Sequence, residues 1–163
     1  MNNVILDSLQ INQKIKRLSY EIYENNLKEN SIILVGINQN GFLLSKEIKK
    51  YIDNLFTDKI QLFHLTTNSN QSFSDNQFDF KKNHISNKVI VIVDDVLNSG
   101  KTIAYSISSV LSFHPKKVEV AVLVDRSYKK FPVLAKYKGI ELNTTINEHV
   151  KIDFNKKMTA YLI

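Results

Sequence analysis

Among its 163 residues the chain has no cysteine, only two prolines and four glycines, and just two arginines, Arg17 and Arg126. Each scarcity excludes something. Without cysteine there are no disulfides and no thiolate chemistry, which suits a reducing compartment, and a zinc ion would find only histidine and carboxylate ligands. His64, His84, His114 and His149 share no metal-ligand spacing, so no protein-built metal centre is expected. The only glycines, Gly36, Gly41, Gly100 and Gly139, form no G-x-G-x-x-G dinucleotide fingerprint. No apolar run approaches the ~20 residues that span a bilayer. The opening MNNVILDSLQ lacks the basic flank and cleavage site of a secretory signal. The expectation is one cytoplasmic domain over residues 1–163, with no membrane partner.

What is present fits a soluble globular class: 43% apolar residues and a formal charge of +6. A basic balance suits an anionic partner, whether a phosphorylated small molecule or a nucleic acid. The cations are nearly all lysines in scattered pairs such as Lys49-Lys50 and Lys129-Lys130, the pattern of an ordinary solvated surface. Tyr20 and Tyr23 near Lys14, Lys16 and Arg17 suit RNA contact and the wet face of an amphipathic helix equally well.

Along the chain, Ile11, Ile15, Leu18 and Ile22 recur at helical spacing behind a capping pair, Asp7 and Gln10. SIILVG (31–36) reads as a buried strand, INQNG (37–41) as a short loop, and Leu44, Ile48, Tyr51, Ile52 and Leu55 as the stripe of a second helix. KIQLFHLTT (59–67) predicts another strand, and the polar stretch 68–87 a long loop of the kind that serves as a functional lid or is partly disordered. KVIVIV (88–93) is apolar on both faces, as in a parallel sheet covered on each side. A helix over 102–113 ends before Pro115. VEVAVLV (118–124) is a third buried strand, and shorter strands are expected in KYKGIEL, VKIDF and MTAYLI. The alternation predicts an α/β fold with an open, mostly parallel sheet and helices on both faces.

The stretch VIVIVDDVLNSGKT (89–102) carries the chemistry. Ligands in open parallel sheets bind beyond the carboxyl ends of the strands, where Asp94 and Asp95 fall. After them Asn98, Ser99, Gly100, Lys101 and Thr102 lead into a helix start, whose free N–H groups and positive dipole end favour a phosphate. A nucleoside-triphosphate P-loop shares the Gly-Lys-Thr ending, but its first glycine would have to stand at Asp95, and a carboxylate there opposes a triphosphate. Taken alone, the string also fits a strand end followed by an ordinary turn.

The whole string resembles the signature of type I phosphoribosyltransferases. Together with SIILVGINQNG and the stretch VEVAVLVDRSYKKFPVLAKYKGIELNTTINEHVKI, most of the chain is similar to the PyrR family, regulators of pyrimidine operons with uracil phosphoribosyltransferase activity. The resemblance implies a type I phosphoribosyltransferase fold with a small hood region. It implies that Asp94 and Asp95 hydrogen-bond the ribose hydroxyls of phosphoribosyl pyrophosphate and act as the catalytic acids, while Asn98 to Thr102 hold the 5′-phosphate. Gln39, Asn40 and Gly41 occupy the pyrophosphate loop, and Arg126 and Val150 match nucleotide-binding positions. It further implies Mg²⁺ as cofactor, held mainly by substrate oxygens, and uracil or UMP as ligand. RNA is an implied partner, and a homodimer or higher assembly the implied state.

The chain departs from that family at two places. Asn40 stands where PyrR-like enzymes carry an arginine for pyrophosphate, and LTTNSNQSFSDNQ replaces the Tyr-Arg-Asp-Asp type sequence of the hood. Two guanidiniums suited to bidentate phosphate bonds are therefore missing, and lysines such as Lys81 or Lys82 make poorer matches. Asn98 stands where purine transferases typically have an aspartate.

Overall fold

The computed structural model describes residues 3–56, 58–67, 77–155 and 157–163, with Gln77, Lys82 and Asn83 described by their backbone alone. Five strands run parallel: β2 (Ile32–Ile37), β3 (Ile60–Thr66), β5 (Val89–Leu97), β6 (Lys117–Arg126) and β7 (Tyr137–Leu142). With β4 (Gln77–Phe78) added antiparallel at one edge, the sheet order is β4-β3-β2-β5-β6-β7. A separate antiparallel sheet, β1-β9-β8, joins β1 (Asn3–Leu6) to β8 (Val150–Asp153) and β9 (Thr159–Leu162).

Period-two alternation splits the apolar strands between two cores. Ile32, Leu34, Val91 and Val93 face helices α1 (Ser8–Glu24) and α2 (Asn38–Asp53). Ile33, Val35, Ile90 and Ile92 face the other way, toward Ile103 and Val110 of helix α4 (Lys101–Leu111). The expected doubly covered sheet is therefore present. Helix α1 starts as the sequence predicts, with Asp7 Oδ1 accepting from the Gln10 amide at 2.9 Å and Gln10 Oε1 accepting from the Asp7 amide at 3.0 Å. Its stripe Ile11, Ile15, Leu18 and Ile22 is fully buried. No described helix is long and apolar enough to cross a membrane.

Several expectations need correction. INQNG is not a loop: the backbone turns at Asn38 (φ 50°) and α2 begins there, so Gln39, Asn40 and Gly41 form its first turn. Asparagine tolerates this left-handed conformation, and the turn is pinned from β3. The Asn38 side chain donates to Thr67 Oγ1 at 3.0 Å and accepts from the Thr67 amide at 2.9 Å, while His64 Nε2 lies 3.0 Å from the Asn38 carbonyl. A carbonyl only accepts, so the His64 ring presents its proton at Nε2. Leu55 lies past the end of α2 and is exposed.

The stretch 68–87 is not one loop either. Residues 68–76 lie outside the described residues, and the remainder contains β4 and the short helix α3 (Lys82–Ile85). Aromatic residues order it: Phe78 and Phe80 pack on each other and on Phe113 at ring separations of 4.8 to 5.5 Å. Strand β1 was not foreseen, because four residues near a terminus show no usable alternation; its pairing with β9 makes it a strand.

Candidate active site

Strand β5 outruns its neighbour. Its ladder with β2 ends at Gly36 opposite Val93, whereas its ladder with β6 continues to Leu97 opposite Asp125. The segment Asp94–Leu97 is therefore paired on one side only, and the acids lie within the strand rather than beyond it. The vacated side is occupied by the first turn of α2, brought close by Gly41, at which an added Cβ would stand 2.5 Å from the Val93 carbonyl oxygen. The overhang, the α2 turn and the start of α4 enclose a cavity of about 350 Å³ lined by residues 37–40 and 94–103. That volume lies within the range of small-ligand sites.

Each acid uses one oxygen locally: Asp94 Oδ1 accepts from the Asp95 amide and Asp95 Oδ1 from the Val96 amide, both at 2.9 Å. Asp95 Oδ2 also accepts from Asn40 Nδ2 at 2.7 Å, and the two carboxyl groups lie against each other. Burial, then the neighbouring Asp95 carboxylate, pushes the Asp94 carboxyl well above the usual carboxylate range.

At the other wall, Gly100 (φ 87°) caps α4 without a side chain, so the first-turn amides of the helix receive no side-chain cap; Lys101 N approaches Ser99 Oγ only at 3.4 Å. Amides left in this way bind water or an anion. The back of the turn is fixed because the Ser99 carbonyl accepts from the amides of Lys130 and Phe131 at 2.9 and 3.0 Å. Lys101 is the sole cationic side chain among the lining residues, and its ammonium leans over the Tyr105 ring.

The sequence-predicted residues thus divide. Asp94, Asp95, Asn98, Ser99, Gly100, Lys101, Thr102, Gln39 and Asn40 all line one cavity. Gly41 shapes its wall. Arg126 is buried and does not line it: its guanidinium donates to Asn98 Oδ1 at 2.9 Å, to Thr144 Oγ1 at 2.8 Å and to the Thr145 carbonyl at 3.0 Å. It meets the cavity through Asn98. Val150 lies on β8 in the small sheet, half-buried against the α1/α2 core. The other arginine, Arg17, is likewise committed, to the Lys138 and Gly139 carbonyls at 2.8 and 2.7 Å. Sequence reasoning missed the Asn38–His64–Thr67 pin and the Asn40–Asp95 bond. An asparagine directly after a buried strand, where a left-handed residue is tolerated, was the available signal for the first; nothing local announced the second.

The phosphoribosyl transferase domain family matches residues 1–156. The chain is 32% identical over 161 residues to the bifunctional protein PyrR of Clostridium kluyveri, with 94% of this chain and 90% of that protein covered. It is also 32% identical to the bifunctional protein PyrR of Fusobacterium nucleatum, at 91% and 89% coverage. In fold it is similar to a hypoxanthine-guanine phosphoribosyltransferase of Bacillus anthracis, with a TM-score of 0.79, 18% identity, and 99% and 98% of the two chains covered. The hypoxanthine phosphoribosyltransferase of Trypanosoma cruzi gives a TM-score of 0.78 at 15% identity, with 97% and 95% covered. With its acid pair, its uncapped helix start and these matches along nearly its whole length, this chain belongs to the phosphoribosyltransferase family and is PyrR-like in sequence.

Proposed function

We propose that the cavity binds phosphoribosyl pyrophosphate and that the chain transfers its phosphoribosyl group to a nucleobase, uracil before other bases, to give UMP. One observation carries this reading: an acid pair and an uncapped helix start face a single cavity. A sugar diol asks for carboxylate acceptors, and a terminal phosphate one turn away asks for backbone donors. In the reaction the bond from C1′ to the pyrophosphate oxygen breaks with its electron pair leaving on pyrophosphate. The bond from C1′ to the uracil nitrogen forms as that nitrogen gives up its proton. Asp94 and Asp95 hold the ribose and favour the positive charge that develops at C1′, as in other oxocarbenium-like transfers. Amides of Ser99 to Thr102 hold the 5′-phosphate, the Gln39–Gly41 turn faces the pyrophosphate, and Arg126, through Asn98, and Val150 set the base side.

Among the described residues no three carboxylate or imidazole side chains converge as a metal cage. Two neighbouring carboxylates at the cavity wall fit instead a hard cation shared with substrate oxygens. Asp94 and Asp95 would hold Mg²⁺ in that way, and it would neutralise charge on the leaving pyrophosphate. The preference for uracil rests on the similarity to PyrR proteins and on Asn98, an amide in place of the aspartate typical of purine transferases. The structural likeness to hypoxanthine transferases, below 25% identity, speaks to fold alone.

Incubating the protein with phosphoribosyl pyrophosphate, Mg²⁺ and, in parallel, uracil, hypoxanthine, guanine or orotate tests the reading. Pyrophosphate release with uracil above the rest is expected. Release with hypoxanthine or guanine alone would overturn the base assignment.

A second reading is a nucleotide-sensing, RNA-binding regulator with weak or lost catalysis. It is favoured by the α2 wall, where Asn38, Gln39 and Asn40 bring no cation and the Asn40 amide is already engaged. UMP binding by calorimetry without turnover would decide for it. So would salt-dependent retention of a pyrimidine-leader transcript that tightens with UMP. Light scattering tests the proposed homodimeric or higher assembly.

A further inference from the structure

We infer that Asn40 is a positioning residue of the ribose subsite, holding Asp95 between the start of α2 and the small sheet so that the acid pair reads the ribose hydroxyls. The inference rests on the nucleotide-binding reading above. Asn40 Nδ2 donates to Asp95 Oδ2 at 2.7 Å and to the carbonyl of Ile152, on β8, at 3.3 Å. One amide group, with two hydrogens, thereby joins α2, β5 and β8. Because Asp95 Oδ1 is bound by the Val96 amide, both oxygens of that carboxylate are held and its plane is fixed. Asp94 takes one backbone hydrogen bond, from the Asp95 amide at 2.9 Å. The contact exists because Gly41 lets the first turn of α2 approach the β5 backbone, which places its neighbour Asn40 within reach of the overhanging strand.

The chemistry of the clamp matters as much as its geometry. An amide orients a carboxylate without cancelling its charge, whereas a guanidinium or ammonium at the same place would form an ion pair. A carboxylate oxygen that accepts one hydrogen bond keeps a second lone-pair direction, so Asp95 Oδ2 can still accept from a ribose hydroxyl. The clamp also links the ribose acid to β8, the strand that carries Val150, so order in the small sheet and order at the ribose subsite are coupled through one side chain.

The test is calorimetry on the full chain with UMP, 2′-deoxy-UMP, 3′-deoxy-UMP and inorganic phosphate. It compares the wild type with Asn40→Asp, which keeps the shape and replaces the donor by a carboxylate, and with Asn40→Ala. Wild type should bind UMP roughly tenfold tighter than at least one deoxy analogue, the weight of a hydrogen bond to a charged acceptor. In both variants that ratio should fall to within about twofold, with Asn40→Ala melting near wild type and Asn40→Asp, which sets a second carboxylate against Asp95, binding phosphate more weakly. A folded variant that keeps the ratio overturns the inference, as does a wild-type ratio near one. Equal loss of UMP and both analogues in Asn40→Ala would make Asn40 a general packing residue and also overturns it. If Asn40→Asp fails to fold, Asn40→Ala decides alone. If neither folds, Asn40 is a packing residue and the inference falls. Wild type that binds no UMP sinks the nucleotide-binding reading together with this one, whereas UMP binding with an unchanged ratio sinks this one alone.

Discussion

Glu119 and Asp94 lie on adjacent strands of the same sheet, both taken partly or wholly out of water, and they have been treated in opposite ways. Burial pushes the Glu119 carboxyl up, but hydrogen bonds from Lys136, Asn26, Tyr137 and Lys117 outweigh it and bring the carboxyl down to about 2. Four donors at 2.6 to 3.0 Å surround it. The same pairing, after burial, pushes the Tyr137 hydroxyl up. Asp94 receives burial and a second carboxylate, with no cation among the causes acting on it from the described residues, and its carboxyl rises. Asp125, at the same edge of the sheet as Asp94, again has lysines on both oxygens, Lys129 and Lys138. Compensation is therefore available in this chain and is withheld at the cavity. A structural acid is satisfied by the protein; a site acid is left for the ligand to satisfy.

Removing a site acid should have the largest effect. Asp95→Ala should lower pyrophosphate release by about 100-fold or more, the scale of a lost electrostatic contact to the reacting centre, with the melting temperature little changed. A variant with full turnover would remove the acids from the chemistry. Glu119→Ala should do the reverse. It leaves the buried Tyr137 hydroxyl without its acceptor and takes one of two from the Asn26 amide, which keeps the Ile22 carbonyl, and should cost about 2–3 kcal/mol in urea unfolding, the half-exposed lysines adding little. UMP affinity should not move.

Between these lies Gly100→Ala. A Cβ at φ 87° is strained and would stand 3.2 Å from the Phe131 carbonyl oxygen. The variant should lose roughly 1–2 kcal/mol of stability and bind inorganic phosphate more weakly. Unchanged phosphate affinity would separate the helix start from anion binding.

The smallest effects are in pH. Glu119 titrates lower when folded than its ordinary 4.5, so its contribution is present above that value and is lost as pH falls toward about 2. Wild type and Glu119→Gln should converge in stability across that window. Asp94 titrates higher when folded, so the folded state holds the proton more tightly and stability falls as pH rises from the ordinary carboxylate range through the raised value. Asp94→Asn should remove that decline and raise the melting temperature at neutral pH, while weakening nucleotide binding. A fall in melting temperature would mean that the Asp94 charge is compensated after all.

Much of this was legible in the order of residues. Strands apolar on both faces can be stable only between two helical layers, so IILVGI, VIVIV and VEVAVLV dictated a covered parallel sheet. A helix start after a strand that carries two acids marked the place of the phosphate and diol subsites proposed above. Capping at Asp7 and the stripe Ile11–Ile22 are contacts between residues three and four apart, which a sequence states directly. The tertiary structure alone decided the rest, because the deciding contacts join residues far apart in the chain. Asn40 meets Asp95 and Ile152, 55 and 112 positions away, and Arg126 meets Asn98 and Thr144, 28 and 18 positions away. Whether a carboxylate ends up like Glu119 or like Asp94 depends on which cations the fold brings to it, and no local pattern of residues contains that information.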